Sequence, residues 1–366
     1  MHPAPLTDRQ EKTTDMLTLR TGFEIELLAP AGSDRQVLAD ALAAARDGAV
    51  RRSFHSDSEP SAVPGVGVFR HLSPAFDVVD EAGAPVARLV DDVTIEADVA
   101  RTRAGHRGWY RVLCDDARLL RLVERHVDPD APLREVLGPV ARLVGTRVEL
   151  LGGAARVNDS AGATIAVAMP LPGGRERPCE VVTPPLVSDH EATLEALLRP
   201  ARELGFTVPA EAAVHVHVDG APFRSPAAFA NLVRLFTRWR EPLWDALGTN
   251  GACRRLAPLP DELLDLVEHP GLTWAEVASG ARTVGLTKFA DVNLTQLVAV
   301  DPARDTLEVR ILPGSDDAGD VVRRAHLVER LLLRCLDSSP VPPPDTRAVH
   351  DPLGALSALA RQEPVR

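Results

Sequence analysis

The chain has 366 residues, of which 45% are hydrophobic and 25% charged, the proportions of an ordinary globular protein. Its formal net charge is −11, and no run of basic residues is interleaved with aromatic ones, which argues against a nucleic-acid-binding protein. No stretch approaches the roughly 20 apolar residues that cross a bilayer, and the first residues lack the pattern of an export signal. We therefore expect a cytoplasmic protein with neither nucleic acid nor membrane as a partner.

Composition also suggests how the chain is organised. Residues 1–16 are polar without pattern, and residues 338–366 begin with SSPVPPPDT, whose prolines cannot continue the preceding helix. We predict a disordered N-terminal tail over 1–16, a single catalytic domain over 17–337 and a Pro-rich C-terminal tail over 338–366.

Apolar residues spaced three to four apart predict helices, and alternating apolar and polar residues predict strands. The helix that begins at the N-cap Ser225 has Pro226 in its first turn and is expected to bend at Pro242. The strands do not alternate one for one with helices, so we predict an α+β fold with a mainly antiparallel sheet. In chain order the predicted elements are a strand at 21–28, a helix at 34–45, a strand at 87–92, helices at 116–127 and 133–144, strands at 164–171 and 179–184, a helix at 189–204, a strand at 212–220, the helix from Ser225 to 247, a strand at 306–314 and a helix at 320–336.

Ionisable side chains recur on one face of several predicted strands. Side chains two residues apart in a strand share a face, so GFEIEL groups Glu24 with Glu26, and VHVHVD groups His215 with His217. A single such face would be an ordinary solvated one. Solvated strand faces favour Thr, Ser, Lys, Arg and Gln, however, so recurring Glu and His indicate a shared site.

Two further acids extend this pattern. TLEVRIL places Glu308 beside Arg310, and Glu180 opens the strand of CEVVTPPL. Carboxylates about 6 Å apart repel by roughly 3 kcal/mol at an effective dielectric constant of about 20, and one arginine would not cancel the repulsion among four of them. We therefore expect two or more divalent cations, Mg²⁺ or Mn²⁺ given these ligand types, and we expect removal of one acid to relieve the repulsion.

Metal ions held by carboxylates without redox ligands are typical of phosphoryl transfer. No GxxxxGK[ST] loop and no GxGxxG between strand and helix is present. A bound nucleotide would therefore be held by metal ions and arginine.

Four motifs in order, GFEIEL, CEVVTPPL, HVHVDG and LEVRILPGS, resemble the amidoligase family of the glutamine synthetase-like carboxylate-amine ligases, which are related to the glutamate-cysteine ligases. The resemblance spans residues 20 to about 315. It implies a glutamine synthetase-like catalytic fold, in which a curved, mainly antiparallel sheet carries helices on its outer side. The implied reaction is ATP-dependent formation of an amide or peptide bond through an acyl phosphate.

The resemblance also implies roles for individual residues. Arg310 would stabilise the charge of the transferring phosphate, and Glu308 beside it is the second implied catalytic residue. His217 would contact the nucleotide phosphates or support the site. The segment before His215 is not glycine-rich as it is in glutamine synthetases, so ammonia and glutamate are not implied as substrates. The implied metal ligands are Glu24, Glu26, Glu180, His215 and Glu308.

Several other residues are weaker candidates. Lys288, Arg175 and Arg177 are candidates for binding nucleotide or an anionic substrate, although a surface lysine and a solvated loop are the ordinary alternatives. Asn293 is a further candidate, for which turn formation or capping is the ordinary alternative. The acid that deprotonates the amine is not identified, and a turn or cap role is the ordinary reading of its candidates, which are Asp91, Asp92 and Asp159.

Two other functions remain open. A metal-dependent hydrolase would use the Glu-x-Glu and His-x-His groups to activate water, and a non-catalytic relative would only bind nucleotide or peptide. For the ligase we expect small-molecule carboxylate and amine substrates of amino-acid or peptide-like type, and a monomer or dimer.

Overall fold

The computed structural model describes residues 17–60, 68–91, 103–104, 109–114, 116–173, 177–253, 256–302 and 304–361. Within these residues the strands are β1 (Thr21–Ala29), β2 (Ala49–Pro60), β3 (Val68–Val79), β4 (Pro85–Val90), β5 (Arg103–Ala104), β6 (Tyr110–Leu113), β7 (Glu149–Leu151), β8 (Ala154–Asn158), β9 (Thr164–Pro170), β10 (Pro172–Gly173), β11 (Arg177–Val182), β12 (Ala213–Asp219), β13 (Val292–Asn293) and β14 (Thr306–Pro313). The helices are α1 (Arg35–Ala44), α2 (Ala117–His126), α3 (Leu133–Val136), α4 (Gly138–Val144), α5 (His190–Glu203), α6 (Pro226–Arg238), α7 (Arg240–Leu247), α8 (Asp261–Glu268), α9 (Trp274–Ala281), α10 (Thr295–Val298), α11 (Ala318–Cys335), α12 (Thr346–His350) and α13 (Pro352–Ala360).

The fold is α+β with mostly antiparallel strand pairing, as the sequence predicts. By its internal contacts the chain divides into two compact units. The first unit contains residues 17–26, Thr183–Arg199 and the chain from Val208 onward, and the second contains Leu27–Val182 and Pro200–Thr207. The prediction of a single catalytic domain over 17–337 remains a prediction.

In the first unit the strand order is β13, β14, β12 and the Thr21–Glu26 part of β1. The apolar residues that alternate with polar ones in the sequence lie on the buried side of these strands. Phe23 and Ile25 of β1 are buried, as are Val216 of β12 and Val309 of β14. Helix α11 contacts both β14 and α6. The apolar side of these strands thus belongs to the core, which leaves the ionisable residues on the other side.

The second unit contains the rest of the sheet, in the order β11, β4, β3, β6, β9, β8 and β7, with β2 paired to β3. Strands β2 and β3 form an antiparallel pair twelve residues long, which the sequence analysis did not predict. Their sequences contain Pro60 and Pro74 and mix polar with apolar residues, so they lack the pattern of a strand. A separate core lies under β6, β8 and β9, where α2 and α4 pack.

The long helix predicted from Ser225 is two helices rather than one helix bent at Pro242. Ser225 does cap α6, accepting from the backbone N–H of Ala228, but α6 ends at Arg238 and α7 begins two residues later. A proline ring clashes with the carbonyl four residues earlier, which here belongs to Arg238. The break therefore precedes the proline, which sits in the first turn of α7, where it needs no N–H partner.

The segment predicted as a Pro-rich tail contains α12 and α13. Its prolines lack N–H groups, but side chains from the first unit donate to the backbone carbonyls instead. Trp239 donates from Nε1 to Pro342 at 2.7 Å, and Arg334 donates to Ser339 and Pro340 at 3.0 and 3.1 Å. Trp239 is separated from its acceptor by about a hundred residues, so local sequence patterns do not reveal this contact. Residues 1–16 lie outside the described part of the chain.

A membrane-crossing helix would have to be both long and strongly apolar, and none of the helices in the described ranges meets that requirement.

Candidate active site

Three neighbouring strands of the first unit bring the predicted acids and imidazoles together. In the antiparallel register of β1 and β12, Glu24 lies opposite His215. In the register of β12 and β14, His217 lies opposite Glu308. Alternation within each strand predicts which residues share a face, whereas the register decides that those faces meet.

Glu24 contacts three basic side chains. Its Oε2 lies 3.2 Å from Nδ1 of His215, and its Oε1 lies 3.2 Å from Nε2 of His217. A third contact comes from Arg304, whose Nη1 donates to Oε1 at 3.2 Å. Two imidazoles and a guanidinium therefore surround one carboxylate.

Glu26 fixes the other side of His215. The Nε2 of His215 lies 3.3 Å from Oε1 of Glu26, while Oε2 of Glu26 accepts from the backbone N–H of Ala213 at 2.8 Å. Both nitrogens of the His215 ring thus face carboxylates. His215 therefore lies between Glu24 and Glu26 and contacts both carboxylates.

Glu308 is held from its own strand and from β13. Asn293 donates from Nδ2 to Oε2 of Glu308 at 2.8 Å, and Arg310 pairs with Oε1 of the same carboxylate. Between the pairs Val214 with Leu312 and Val216 with Val309, β14 contains one more residue than β12, which is a β-bulge beside Arg310. Bulges re-aim side chains next to active sites, and this one accompanies the turn of the guanidinium toward Glu308.

The side chains described above form one cluster, and its positive charges stabilise Glu24 and Glu308 in the ionised form. Burial works to raise the pKa of Glu24, but the charge of His217 and the close contacts of both histidines outweigh it, so that the pKa lies well below the usual value. For Glu308, burial is likewise outweighed, mainly by the charge of Arg310, and its pKa is lowered. These acids are therefore paired with protein cations rather than left to repel one another.

The two histidines respond oppositely to the same surroundings. Burial and the charge of Arg310 lower the pKa of His215, although Glu24 and Glu308 act in the other direction. For His217 burial also lowers the pKa, but the negative charge of the nearby Glu24 carboxylate outweighs burial and raises it. His215 is thus the more neutral imidazole and His217 the more basic one.

One set of side chains has the geometry of a metal site. A carboxylate oxygen from Glu24, one from Glu308 and a ring nitrogen of His217 all lie within 4.8 Å of one another. Among the described residues, the buried Nε2 of His217 has no hydrogen-bond partner of good geometry, although the Glu24 carboxylate is close. Two carboxylates and an imidazole nitrogen fit Mg²⁺ or Mn²⁺.

This grouping overlaps the predicted metal ligands only at Glu24 and Glu308, and metal ligation by Glu26, Glu180 and His215 stays a prediction. The resemblance gave His215 to the metal and His217 to the nucleotide phosphates, whereas the donor set contains His217, and both nitrogens of His215 face carboxylates. The sequence alone could not separate the two, because both point to the same face of β12.

The other predicted site residues belong to the second unit, to a turn of the first unit, or to parts of the chain outside the described residues. Glu180 is half-buried on β11 of the second unit, opposite Val90 of β4. Lys288 lies in a turn before β13, with its Nζ 5.3 Å from the centroid of the Phe289 ring. Arg175 lies outside the described residues, and for Arg177 only the backbone of β11 is described. Their roles remain predictions.

Two of the three candidate bases, Asp91 and Asp159, form ion pairs or turn-forming hydrogen bonds. Asp91, in the second unit, is buried and contacts Arg111 at 3.0 Å and Arg35 at 3.5 Å. Asp159 accepts from the backbone N–H groups of residues 161 and 163 at 2.9 and 2.8 Å, which is a turn-forming role. Asp92 lies outside the described residues.

Sequence reasoning missed one member of the cluster. Arg304 contacts Glu24 from the loop before β14, and that loop carries no motif. A single arginine in a loop gives no periodic signal, so only the fold could place it beside the acids.

Comparison with known proteins adds one finding to this geometry. The family model described as "Putative amidoligase enzyme" matches residues 17–332, a range that contains every residue of the cluster. No curated protein and no solved structure matches the chain.

Proposed function

Because the chain belongs to the amidoligase family, we propose that it is an ATP-dependent carboxylate-amine ligase that forms an amide or peptide bond through an acyl phosphate. The observation that carries the proposal is the convergence of Glu24, His217 and Glu308 on one position, with Arg310 beside them. The glutamine synthetase-like fold remains a prediction alongside it.

In the proposed site Glu24, His217 and Glu308 hold divalent cations, Mg²⁺ or Mn²⁺, two or more in number. When bound, such ions neutralise the charge on nucleotide phosphate oxygens during phosphoryl transfer. The rigid strands supply the positioning, because Glu26 fixes His215 and Asn293 fixes Glu308. Metal ligation by Glu180 remains a prediction from the sequence.

The proposed reaction has two steps. An oxygen of the substrate carboxylate attacks the γ-phosphorus of ATP, and ADP leaves. The amine then attacks the acyl carbon, phosphate leaves, and the nitrogen loses a proton. Arg310, buried and paired with Glu308, provides a fixed positive charge for the transferring phosphoryl group.

Hydroxylamine tests this reaction without knowledge of the amine, because it attacks acyl phosphates to give hydroxamates. Purified protein would be incubated with ATP, Mn²⁺, hydroxylamine and a pool of amino acids and small peptides. We expect ADP and a hydroxamate to form in equal amounts, identified by mass spectrometry. Oxygen-18 in the carboxylate of the reacting acid should appear in the released phosphate, which is the signature of an acyl phosphate.

Matched variants connect the activity to the cluster. Glu308→Gln should lower the rate of ADP release at least about 100-fold, since it removes a ligand charge at the reacting phosphate. Glu262→Gln, an exposed acid in the first turn of α8, should leave the rate unchanged. Full activity of Glu308→Gln would show that the cluster is not the active site.

The same assay separates the other two functions. A metal-dependent hydrolase would cleave amides with Mn²⁺ in the absence of ATP and would form no hydroxamate from free acids. A non-catalytic relative would bind ATP with Mn²⁺ but release no ADP with any acid in the pool.

A further inference from the structure

Arg304 contacts Glu24 of the candidate site, but its own side chain is exposed. Its Nη1 donates to Oε1 of Glu24 at 3.2 Å, yet its side chain is 60% exposed, against 12% for Glu24. Arg310, the other guanidinium of the cluster, is 8% exposed and pairs with Glu308. The two arginines thus differ in freedom of movement although both contact a proposed ligand.

The backbone that carries Arg304 is anchored. The N–H of Arg304 donates to Oε1 of Gln296 at 3.2 Å, and the carbonyl of Asp305 accepts from the N–H of Gly220 at 3.1 Å. Asp305 also forms an ion pair with Arg224 at 2.7 Å. The Cα of Arg304 is therefore held while its guanidinium can exchange one contact for another.

The Glu24 oxygen that accepts from the Arg304 guanidinium also faces the proposed metal-ligating nitrogen of His217. Oε1 of Glu24 lies 3.2 Å from Arg304 and 3.2 Å from Nε2 of His217, the nitrogen that lacks a well-aligned hydrogen bond. A cation bound between this oxygen and this nitrogen would lie next to the positive charge of Arg304, and like charges at that distance repel. Exposed ion pairs are worth only about 0–1 kcal/mol, so little energy opposes the release of Arg304.

We propose that Arg304 is an exchangeable counter-ion: it neutralises Glu24 in the metal-free protein, is displaced when a divalent cation binds, and then contacts a phosphate group of the nucleotide. This inference rests on the proposed function and adds a specificity residue to it. A displaced guanidinium next to bound cations finds its best partner in phosphate oxygens, which match its planar fork of N–H donors. Metal and nucleotide binding would then be coupled through one side chain.

The inference predicts opposite effects on two ligands. Arg304→Gln should bind Mn²⁺ alone about fivefold more tightly at low ionic strength, because the competing charge is gone. In the presence of saturating Mn²⁺, the same variant should bind ADP about tenfold more weakly, because the phosphate contact is lost. Arg304→Lys keeps the charge without the fork, so its Mn²⁺ affinity should stay near that of the wild type while its ADP affinity falls.

Electron paramagnetic resonance of free Mn²⁺ and calorimetric titration with ADP measure the two affinities independently of turnover. Arg323→Gln is the matched control, since Arg323 is 62% exposed and pairs with Asp320 on α11, and neither affinity should change. Circular dichroism would confirm that each variant is folded.

Unchanged or weaker Mn²⁺ binding by Arg304→Gln, with normal binding by the wild type, overturns the inference and leaves the proposed function intact. Tighter Mn²⁺ binding without loss of ADP affinity also overturns it, because the phosphate contact would be absent. Failure of the wild type to bind Mn²⁺ overturns both the inference and the proposed function.

Discussion

Asn293 donates from Nδ2 to Oε2 of Glu308 at 2.8 Å, and the two residues face each other in the pairing of β13 with β14. The Oδ1 of Asn293 accepts from the backbone N–H of Thr295 at 3.1 Å and from its hydroxyl at 2.6 Å. The amide is therefore fixed at both ends. It holds Glu308 in position without adding a charge to a crowded site.

Asn293→Asp tests whether stability depends on an uncharged side chain beside Glu308. The change replaces a donor with a carboxylate beside Glu308, and both side chains are buried. We expect the free energy of unfolding of the metal-free protein to fall by about 1–3 kcal/mol, and Mn²⁺ to restore part of it. Urea unfolding with and without Mn²⁺ measures both quantities.

Asn158→Asp is the matched control for this change. Asn158 donates to Glu149 at 3.3 Å, so the same substitution again places two acids together, but in the second unit and at a site more open to water. We expect a smaller loss of stability and no recovery with Mn²⁺. Equal responses of the two variants to Mn²⁺ would contradict a metal site at Glu308.

Glu24→Gln tests how the acids are stabilised in the absence of metal. The sequence suggested that removing one acid relieves repulsion, but the lowered pKa of Glu24 means that its negative charge is favoured by its neighbours. We therefore expect Glu24→Gln to lower the free energy of unfolding at neutral pH by about 1.5–3 kcal/mol, the range for hydrogen bonds to charged groups. A more stable variant in metal-free buffer would support the original expectation instead.

The pH dependence of stability should carry a contribution from His71, which is fully buried on β3. Burial first, and the charge of Arg111 second, lower its pKa to about 4. The unfolded chain, with a histidine pKa of about 6.5, binds this proton more readily than the folded protein, so stability is present above pH 6.5 and is lost as the pH falls toward 4.

A variant isolates that contribution. His71→Gln cannot take up the proton, so between pH 7 and pH 4 it should lose about 2–3 kcal/mol less stability than the wild type does. The exposed His350→Gln serves as the control and should follow the wild type. Parallel loss of stability by His71→Gln and the wild type would rule out this assignment.

Asn231 should be essential for the order of the segment that follows α11. Its Nδ2 lies within 3.0–3.3 Å of the carbonyls of Cys335, Asp337 and Ser339, and its Oδ1 accepts from the N–H of Val341 at 2.9 Å. We expect Asn231→Ala to lower the free energy of unfolding by about 3 kcal/mol, because it leaves buried polar groups without partners. Urea unfolding measures the loss, and hydrogen exchange should show it at residues 337–341.

Asn250→Ala provides the comparison, since its amide lies nearer the surface and bonds to Ala210 and Ala252. A loss below about 1 kcal/mol is expected there. If both variants lose the same stability, the special role of Asn231 is refuted.

Local patterns predicted which residues of a strand share a face, but not which strands are neighbours. Alternation alone grouped Glu24 with Glu26 and His215 with His217, because side-chain direction is a local property of extended backbone. The pairing of Glu24 with His215 and of His217 with Glu308 depends on register, which is set by non-local contacts.

The parts that escaped prediction share a dependence on distant partners. Strand β3 contains Pro74, a residue that opposes strand assignment, yet its carbonyl accepts two hydrogen bonds from the buried Arg35. Arg304 reaches Glu24 from a loop, and the carbonyls after α11 are satisfied by Asn231. None of these relationships leaves a periodic trace in the sequence.

The seating of α13 has a practical consequence for anyone shortening this protein. Leu356 and Leu359 are buried, and α13 contacts both α7 and α11. Ending the chain at residue 337, just before the proline-rich sequence, would remove α13 and expose the surfaces of α7 and α11 that it contacts. Such a product should collect in inclusion bodies, and its inactivity would say nothing about the chemistry of the intact enzyme.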